Sequence, residues 1–423
     1  MMDRKGTSAV DRGALEHILK VTRQLARPLD LQTMLKLVVD EGRAVLQAER
    51  GTVFLYDPDS DDLYATVATG TGTFRIPADR GIVGECARTR QLVNVPDCYA
   101  DPRFNSDVDK RTGYRTRCLL TVPLIGYDDS LVGVFQVLNK QDGAFTRQDE
   151  QVATALAAQC AVALQRTRML EDVVAKEKME QELAVAREIQ MDVLPKEMPS
   201  LPDYDFAGWC LPAEETGGDI FDIIRVGDSR IVLLLGDATG HGVGPALSVT
   251  QVRSMLRMCI RSGVSLDDAF RHINDQLVED LASNRFVTAF LGSLDVRNHR
   301  LTYHAGGQAP ILHYHAADGL FQSLGASTIP MGIMGGLPAP SARSHDLAPG
   351  DILALMTDGV FEYENPAGEQ FGESRVREII RAHGGEPMAR LVERTVQAVE
   401  QFADGAPQKD DMTILLVGRR PGR

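Results

Sequence analysis

Residues 149 to 194 contain neither glycine nor proline, the two residues that most often end a helix. This segment therefore predicts one long helix in the middle of the 423-residue chain. A chain of this length is expected to form two or three domains. We predict an N-terminal helix, a first domain, a helical linker and a second domain, with the bounds 1–27, 28–165, 166–198 and 199–423.

The linker helix carries an apolar seam on a charged background. Its positions step by four and three residues, as in a heptad repeat: Met179, Leu183, Ala186, Gln190 and Val193. The pattern favours a coiled coil in a parallel homodimer. Two heptads are short, so a solvated linker helix is the alternative.

Composition narrows the class of partner. The net charge of −14 argues against nucleic acid or an anionic membrane as the main partner. The six cysteines form no C-x-x-C pair, which is typical of free thiols in a reducing compartment. No apolar run reaches the length of a membrane span, and the N-terminus lacks an apolar signal region. We expect a cytoplasmic protein that binds neither membrane nor nucleic acid.

Both predicted domains mix helices and strands. Two amphipathic helices lie between residues 11 and 48, and alternating or short apolar runs such as "GTVFLYD" and "SLVGVFQVLNK" then predict strands. The long stretch 77–115 is either functional or contains short helices. In the second domain, runs such as "IVLLLGD" and "MTILLVG" alternate with helices near 244–261, 266–283, 374–382 and 387–403. The fold class is α+β, with largely antiparallel sheets.

Acidic residues in the second domain repeatedly stand at the ends of predicted buried strands. Asp219 follows two glycines, Asp237 follows "IVLLLG", Asp358 precedes Gly359, and Asp410 precedes "MTILLVG". A buried carboxylate is costly to ionise, and several together are worse unless cations lie among them. Oxygen ligands select Mg²⁺ or Mn²⁺ rather than zinc. The pattern indicates a site for divalent cations.

The same segments resemble a known enzyme family. The ordered motifs are "ETGGDIFD", "GDATGHGVGPALS", "YHAGGQAPIL", "PMGI", "LMTDGVFEYENPAGEQFG" and "KDDMTILLV". They are similar to those of the metal-dependent serine/threonine protein phosphatases (the PPM family), and most similar to the SpoIIE/RsbU branch. The resemblance covers roughly residues 199–418 and implies an α/β/β/α sandwich.

The resemblance assigns metal ligands by motif. Asp219 resembles a terminal ligand of one ion, and Asp237 resembles the residue that bridges two ions. The carbonyl of Ala238 resembles a further ligand, and Asp358 and Asp410 resemble ligands of the second ion. The implied cofactors are two Mn²⁺ or Mg²⁺ ions, and the implied reaction is attack of a hydroxide that bridges them on a phosphoserine or phosphothreonine.

Three further residues of these motifs have open roles. Asp222 and Asp411 are secondary metal candidates, and a lone Asp such as Asp222 is equally typical of a turn or cap. His241 either protonates the leaving group or holds its loop. The sequence "AGGQAP" departs from the Gly-His-Asn that this branch more often has before proline, which concerns the substrate loop.

The implied substrate is a STAS-type anti-anti-sigma factor. The alternative, from another functional class, is a ligand-gated binding scaffold with negligible turnover. The retained acidic positions favour the enzyme.

The first domain resembles a GAF domain, of the subset found in cyclic-nucleotide phosphodiesterases and adenylyl cyclases. The similarity lies in the segment from "RIPADRGIVGECARTR" to "TGYRTRCLLTVPL" and in the signature that follows it. The signature residues, to which we assign a structural role, are Asn139, Lys140, Phe145, Asp149 and Glu150. In particular, Lys140 and Asp149 are expected to join the last strand to the exit helix by an ion pair.

The GAF resemblance also suggests a ligand site. The candidate contacts are Ile82 and Val83 in "GIVG", Asn105, and Thr112 and Thr116 in "TGYRT". A glycine turn and threonine hydroxyls could donate to the phosphate of cAMP or cGMP. The alternatives are a GAF domain that binds another small molecule or one that serves as a dimer platform.

Overall fold

The structure is a computed structural model, and it describes residues 12–68, 74–282, 284–336 and 341–422. The chain divides into two compact units, Met1–Lys178 and Met179–Arg423. Each unit is described by itself below. The predicted long helix is present as Arg147–Val193.

Unit 1 is built on one six-stranded antiparallel sheet with the strand order β3-β2-β1-β6-β5-β4. A short 3-10 turn occupies Cys98–Ala100. The elements are α1 (Arg12–Leu25), α2 (Leu31–Val45), β1 (Ala48–Asp57), β2 (Asp62–Ala68), β3 (Phe74–Pro77), α3 (Gly81–Thr89), β4 (Val93–Val95), α4 (Asp107–Thr112), β5 (Leu119–Ile125), β6 (Leu131–Lys140) and the first part of α5 (Arg147–Val193).

Alternation along these strands gives the sheet of unit 1 two buried faces. One face packs against α2 and α5, with Val38 and Leu156 in its core. The other packs against α3, with Ile82 and Cys86 in its core. The irregular stretch 77–115 contains α3, β4 and α4, which is the second of the two readings allowed by the sequence.

Unit 2 contains two five-stranded antiparallel sheets. Their strand orders are β14-β11-β10-β9-β8 and β13-β12-β15-β16-β7. The elements are β7 (Tyr204–Leu211), β8 (Asp219–Val226), β9 (Arg230–Ala238), α6 (Val243–Arg261), α7 (Leu266–Asp280), β10 (Val287–Asp295), β11 (Arg300–Gly306), β12 (Ile311–His315), β13 (Leu320–Leu324), β14 (Arg343–Asp346), β15 (Ile352–Met356), α8 (Asp358–Phe361), α9 (Gly372–His383), α10 (Met388–Ala403) and β16 (Met412–Arg419).

Three apolar layers hold unit 2 together. Phe290 and Leu415 belong to the core between the two sheets. Val252 of α6 packs on the outer face of the first sheet, and Leu391 of α10 packs on the outer face of the second. Each fully buried side chain of this kind stabilises the fold by about 1.5–3 kcal/mol. The resulting helix–sheet–sheet–helix layering confirms the predicted α+β class.

Crossing a membrane requires a helix of about 20 mostly apolar residues. None of the helices within the described ranges meets that requirement.

Candidate functional site

Two of the predicted acidic residues lie side by side on neighbouring strands. Asp219 begins β8 and Asp237 stands near the end of β9, and the two are direct partners in the antiparallel register. Directly opposed residues have Cβ atoms about 4.5–5.5 Å apart. Burial, and then the charge of Asp237, raises the pKa of Asp219 well above its usual range. The pair therefore repels itself when both carboxylates are ionised.

Two more carboxylates reach this place from the second sheet. Asp358 lies two residues after the end of β15, and Asp410 lies two residues before the start of β16. Burial raises the pKa of Asp237 to about 7, and the charges of Asp358 and Asp410 add to the effect. Burial likewise raises the pKa of Asp410, with a contribution from Asp358. The four acids therefore converge from strand ends of both sheets; we call them the acidic centre.

Glycines make this convergence sterically possible. A Cβ on Gly218 would lie 2.7 Å from the carbonyl oxygen of Ala238. A Cβ on Gly359 would lie 2.0 Å from the backbone oxygen of Asp411. Neither approach tolerates a side chain, which explains why glycine stands beside acid in both motifs. The Ala238 carbonyl is thereby held against the start of β8.

The donor set of the acidic centre suits hard divalent cations. It consists of carboxylate oxygens and a nearby backbone carbonyl, which are the ligands that Mg²⁺ and Mn²⁺ prefer. Carboxylates whose pKa values are raised by one another gain most from a cation among them. The residues present therefore fit the predicted cofactor class.

Asp222 lies apart from the acidic centre, so its secondary assignment as a metal candidate is not supported by the geometry. It is three residues from Asp219 on the same strand, and an odd spacing puts the two side chains on opposite faces. Fully buried, Asp222 accepts hydrogen bonds from Arg257 Nε at 2.6 Å and Nη2 at 2.8 Å. Arg253 Nε lies 3.0 Å from the same carboxylate. The two arginines of α6 therefore already neutralise this acid.

Asp411, the other secondary candidate, accepts hydrogen bonds from backbone amides. Its Oδ1 accepts a hydrogen bond from the Ala213 amide at 2.7 Å, and its Oδ2 accepts one from the Gly218 amide. The carboxylate thus fixes the backbone of the loop that leads into Asp219. The charge of Asp411 also raises the pKa values of Asp219 and Asp237, so Asp411 lies beside the acidic centre while its oxygens bind these amides.

His241 is 79% exposed, and its Nδ1 lies 3.1 Å from Glu214 Oε2. This contact joins the loop after β9 to the loop before β8. Of the two roles left open by the sequence, the geometry favours holding the loop.

Sequence reasoning missed two residues that support the centre. Thr357 Oγ1 donates to Asp219 Oδ2 at 2.7 Å, which ties the end of β15 to the start of β8. Gln190 on α5 donates to the Gly217 carbonyl at 2.6 Å and accepts from the Gly217 amide at 3.1 Å. A polar residue in an otherwise apolar seam was the available signal for Gln190.

The contact of Gln190 corrects the predicted seam. Gln190 is buried against its own unit, and Val193 packs against the helix-facing core of the first sheet. These two positions are therefore not free for a partner helix, because the last turns of α5 dock on unit 2. Met179 remains 62% exposed.

Comparison with known families agrees with this geometry. The family model of Stage II sporulation protein E (SpoIIE) matches residues 227–420, and that of the GAF domain matches residues 30–164. The chain therefore contains a region that matches the GAF domain, followed by a region that matches the SpoIIE family. This recognition confirms both resemblances found in the sequence.

A solved structure similar to this chain is the SiaA-PP2C domain of Pseudomonas aeruginosa. It is 25% identical, with a TM-score of 0.50, and the match covers 58% of this chain and 98% of that one. Almost the whole of that domain is matched, and its fold agrees with the sandwich of unit 2.

Two curated proteins are also similar. Probable 3',5'-cyclic phosphodiesterase pde-5 of Caenorhabditis elegans is 30% identical over 196 residues, 43% of this chain and 26% of that protein. Protein IcfG of Synechocystis sp. is 28% identical over 271 residues, 56% of this chain and 41% of that protein. The chain therefore spans less than half the length of these curated relatives.

The signature residues of the GAF domain form a structural network. Lys140 Nζ lies 2.5 Å from Asp149 Oδ1, and this ion pair joins β6 to α5. Asn139 is buried, and its Oδ1 accepts from the Arg117 amide at 2.6 Å. Glu150 accepts from a side-chain amide of β4, and Phe145 belongs to the core on the α5 face. These contacts lie within the domain and join its strands to α5.

The candidate ligand residues of the GAF domain differ in their exposure to solvent. Ile82 and Val83 lie on α3, so "GIVG" opens a helix rather than forming the expected turn, and both side chains are buried in the core. Asn105 is exposed, and its Oδ1 accepts from a neighbouring amide at 2.9 Å. The side chain of Thr112 lies outside the described residues.

Thr116 already has a partner within the GAF domain. Its Oγ1 donates to Asp109 Oδ1 at 2.8 Å, and its amide donates to Asp109 Oδ2 at 2.7 Å. Both residues are buried. The hydroxyl proposed as a donor to a ligand phosphate is therefore used by this internal acid, which sequence reasoning did not single out.

Proposed function

We propose that this protein removes phosphate from serine or threonine side chains of another protein by metal-dependent hydrolysis. The observation that carries the proposal is the direct pairing of Asp219 with Asp237 on adjacent strands, joined by Asp358 and Asp410 from the second sheet. These carboxylates, together with the Ala238 carbonyl, would hold divalent cations. Such cations supply charge neutralisation for the phosphate and acidify water near neutral pH.

The role of the surrounding residues is to fix the oxygen donors in advance. Thr357 orients one carboxylate oxygen of Asp219. Asp411 anchors the backbone on both sides of the loop 213–218, through Ala213 and Gly218. Preorganised groups of this kind stabilise charge without the cost of rearrangement during the reaction.

The test is hydrolysis of p-nitrophenyl phosphate and of a phosphoserine protein in Mn²⁺, by wild type and by Asp237→Asn. We expect the variant to lose at least about 100-fold in kcat, the scale on which removal of one electrostatic group acts. Asp228→Asn is the matched control, because Asp228 is 91% exposed in the turn after β8. Wild-type turnover in Asp237→Asn would refute the assignment, and negligible turnover in wild type would favour the binding scaffold.

The substrate class we propose is a phosphorylated STAS-type anti-anti-sigma factor, which rests on the motif similarity to the SpoIIE/RsbU branch. The direct test compares a phosphorylated STAS protein with an unrelated phosphoserine peptide at equal concentration. A preference of at least tenfold in kcat/KM for the STAS protein is expected. Equal values would reject this substrate class.

The end of α5 provides a route for regulation. Gln190 holds Gly217 by two hydrogen bonds, and Arg187 Nη1 donates to the Glu214 carbonyl at 3.2 Å. Gly217 is two residues from Asp219, so a shift of this helix would move the start of β8. Coupling of about 1–3 kcal/mol between helix position and the acidic centre would change activity roughly 5- to 150-fold.

The homodimer that we propose uses the part of α5 that does not dock on unit 2. Met169, Leu170, Val173 and Val174 are each at least half exposed. Exposed apolar residues at spacings of three and four on one helix are typical of a helix–helix contact.

The ligand of the GAF domain is proposed to be a small molecule, with cAMP and cGMP as the first candidates. Support comes from the similarity to a probable 3',5'-cyclic phosphodiesterase. Because Thr116 donates to Asp109, a cyclic phosphate would need other donors or a rearranged α4. Calorimetry of each nucleotide on the full chain, with and without Mn²⁺, is the test. No heat of binding from either nucleotide would remove the candidates.

A further inference from the structure

A cluster of three histidines lies in unit 2 outside the acidic centre. His313 and His315 stand two residues apart on β12, so their side chains share a face of the strand. His345 comes from β14, which belongs to the other sheet. One ligand atom of each ring lies within 4.8 Å of the others. The cluster therefore spans the space between the two sheets.

The three rings are in close mutual contact. The centroids of His313 and His315 lie 4.0 Å apart, and those of His313 and His345 lie 4.5 Å apart with their planes almost perpendicular. His313 Nδ1 lies 2.5 Å from His345 Nε2. Two imidazole nitrogens from opposite sheets therefore meet at hydrogen-bond distance.

Asp351 determines which nitrogen of His313 faces that volume. Its Oδ2 lies 2.9 Å from His313 Nε2, and both side chains are buried. The carboxylate is fixed by the amides of Ala316, at 3.0 Å from Oδ1, and Ala348, at 2.9 Å from Oδ2. A carboxylate acceptor keeps the proton on Nε2, so Nδ1 presents its lone pair to the cluster. A metal-binding histidine in proteins is usually oriented by such a carboxylate or carbonyl.

The protonation state of the cluster also suits a metal. Burial lowers the pKa of His313 to about 4, and the neighbouring imidazoles add to this. Burial lowers the pKa of His345 as well. Both rings are therefore neutral near pH 7, which is the form that ligates a metal.

The cluster is separate from the acidic centre. Asp351 lies just before β15 and Asp358 just after it. At about 3.3 Å per residue, these two positions are roughly 20 Å apart. The acidic centre and the histidine cluster thus lie at opposite ends of the same strand.

We propose that His313, His315 and His345 bind one transition-metal ion of the zinc class between the two sheets, with Asp351 orienting His313. Imidazole nitrogen suits Zn²⁺ over Mg²⁺ or Mn²⁺. Bonds of about 2.0–2.1 Å from three nitrogens to one zinc ion require nitrogens about 3.3–3.5 Å apart. His313 Nδ1 and His345 Nε2, which lie 2.5 Å apart, would have to separate by about 1 Å to admit the ion. His315 is 33% exposed, which leaves a fourth position open to water.

Occupation of this site would join edge strand β14 of one sheet to β12 of the other. Each of these strands contributes a ligand, so the ion acts as a cross-link between the layers. A ligand that binds only the folded state stabilises it by mass action. We therefore expect zinc to raise the melting temperature of the full-length protein.

The experiment measures zinc bound per chain after chelation and re-addition of Zn²⁺, by mass spectrometry of the metal. Asp237→Asn serves as the background, so that the acidic centre contributes as little as possible. We expect one tightly bound ion, lost in His345→Asn and in His315→Asn. The matched control is His272→Asn, an exposed histidine on α7, which should keep the ion.

Cobalt gives a second readout of the same site. Co²⁺ bound by three imidazoles and water should show the visible absorption of tetrahedral cobalt, and this band should be absent in His345→Asn. His315→Asn provides the answer if His345→Asn fails to fold, because the side chain of His315 is 33% exposed. Failure of the unsubstituted cluster to take up zinc, or equal uptake in the triad variants and the control, would overturn the proposal.

Discussion

The same substitution at two aspartates of neighbouring strands should have opposite effects on stability. Asp222 and Asp237 lie on β8 and β9 of one sheet. Asp222 is paired with two arginines, whereas Asp237 faces other carboxylates. Changing either residue to Asn preserves its size and removes its charge.

The magnitudes follow from these surroundings. Removing one partner of a buried ion pair costs about 3–5 kcal/mol, so Asp222→Asn should destabilise unit 2 by that amount. The pKa of Asp237 is raised from 3.8 to about 7, and each unit corresponds to about 1.4 kcal/mol. In metal-free protein, ionised Asp237 therefore costs the fold up to about 4 kcal/mol above pH 7.

The difference in stability between Asp237→Asn and wild type should depend on pH. The folded-state pKa of Asp237 lies above its unfolded value, so wild type loses stability as the pH rises from about 4 through 7. Asp237→Asn removes this loss. The variant should therefore be more stable than metal-free wild type at pH 8, with a smaller difference at pH 5.5. Saturating Mn²⁺ should reverse the order, because only wild type keeps its full set of ligands.

The assay is urea unfolding of the full-length protein in chelator. The chain contains one tryptophan, Trp209 on β7, so its fluorescence reports on unit 2 alone. Asp228→Asn provides the baseline for an exposed aspartate. If Asp237→Asn is less stable than wild type at pH 8 without metal, the carboxylates do not repel one another and the reasoning fails. An Asp222→Asn variant with the same free energy of unfolding as wild type would reject the ion-pair assignment.

Three other variants test the supporting contacts. Gln190→Leu leaves the buried amide and carbonyl of Gly217 without partners, at a cost of about 1–3 kcal/mol each. Because Gly217 leads into Asp219, kcat should fall at least tenfold, whereas Ile189→Ala at an exposed neighbour should leave kcat unchanged. Equal kcat values for the two variants would show that α5 does not position the centre. Thr116→Val removes a hydrogen bond to the buried acid of α4 and should destabilise unit 1 by about 1.5–3 kcal/mol in thermal unfolding; an unchanged midpoint would contradict that bond. Leu170→Glu should weaken the proposed dimer at least tenfold in sedimentation, and Ile189→Glu, exposed on another face of α5, should not; a monomeric wild type would reject the dimer.

The fold was largely readable from the sequence because local signals agreed with the packing. Helix α10 was predicted near 387–403 and spans Met388–Ala403, since its amphipathic pattern matches its buried face. The long helix α5 was predicted from the absence of glycine and proline. In both cases the local rule and the tertiary contact demand the same structure.

The candidate site was readable only in part. The strand-end position of Asp219 and Asp237 was visible, but their direct register partnership depends on hydrogen bonding across the sheet. The fate of Asp222 was set by arginines more than thirty residues away. Contacts of this kind are non-local, and one sequence contains no record of them.

If the acidic centre holds divalent cations, the full-length protein must bind Mn²⁺ in the absence of substrate. The measurement is a calorimetric titration of metal-free full-length protein with Mn²⁺, which gives the number of ions bound without any substrate. The protein carries His345→Asn, so that the histidine cluster does not contribute. We expect two ions per chain, with loss of at least one in Asp237→Asn and no loss in Asp228→Asn. Absence of Mn²⁺ binding, or identical binding by the Asp237→Asn variant, would contradict this expectation.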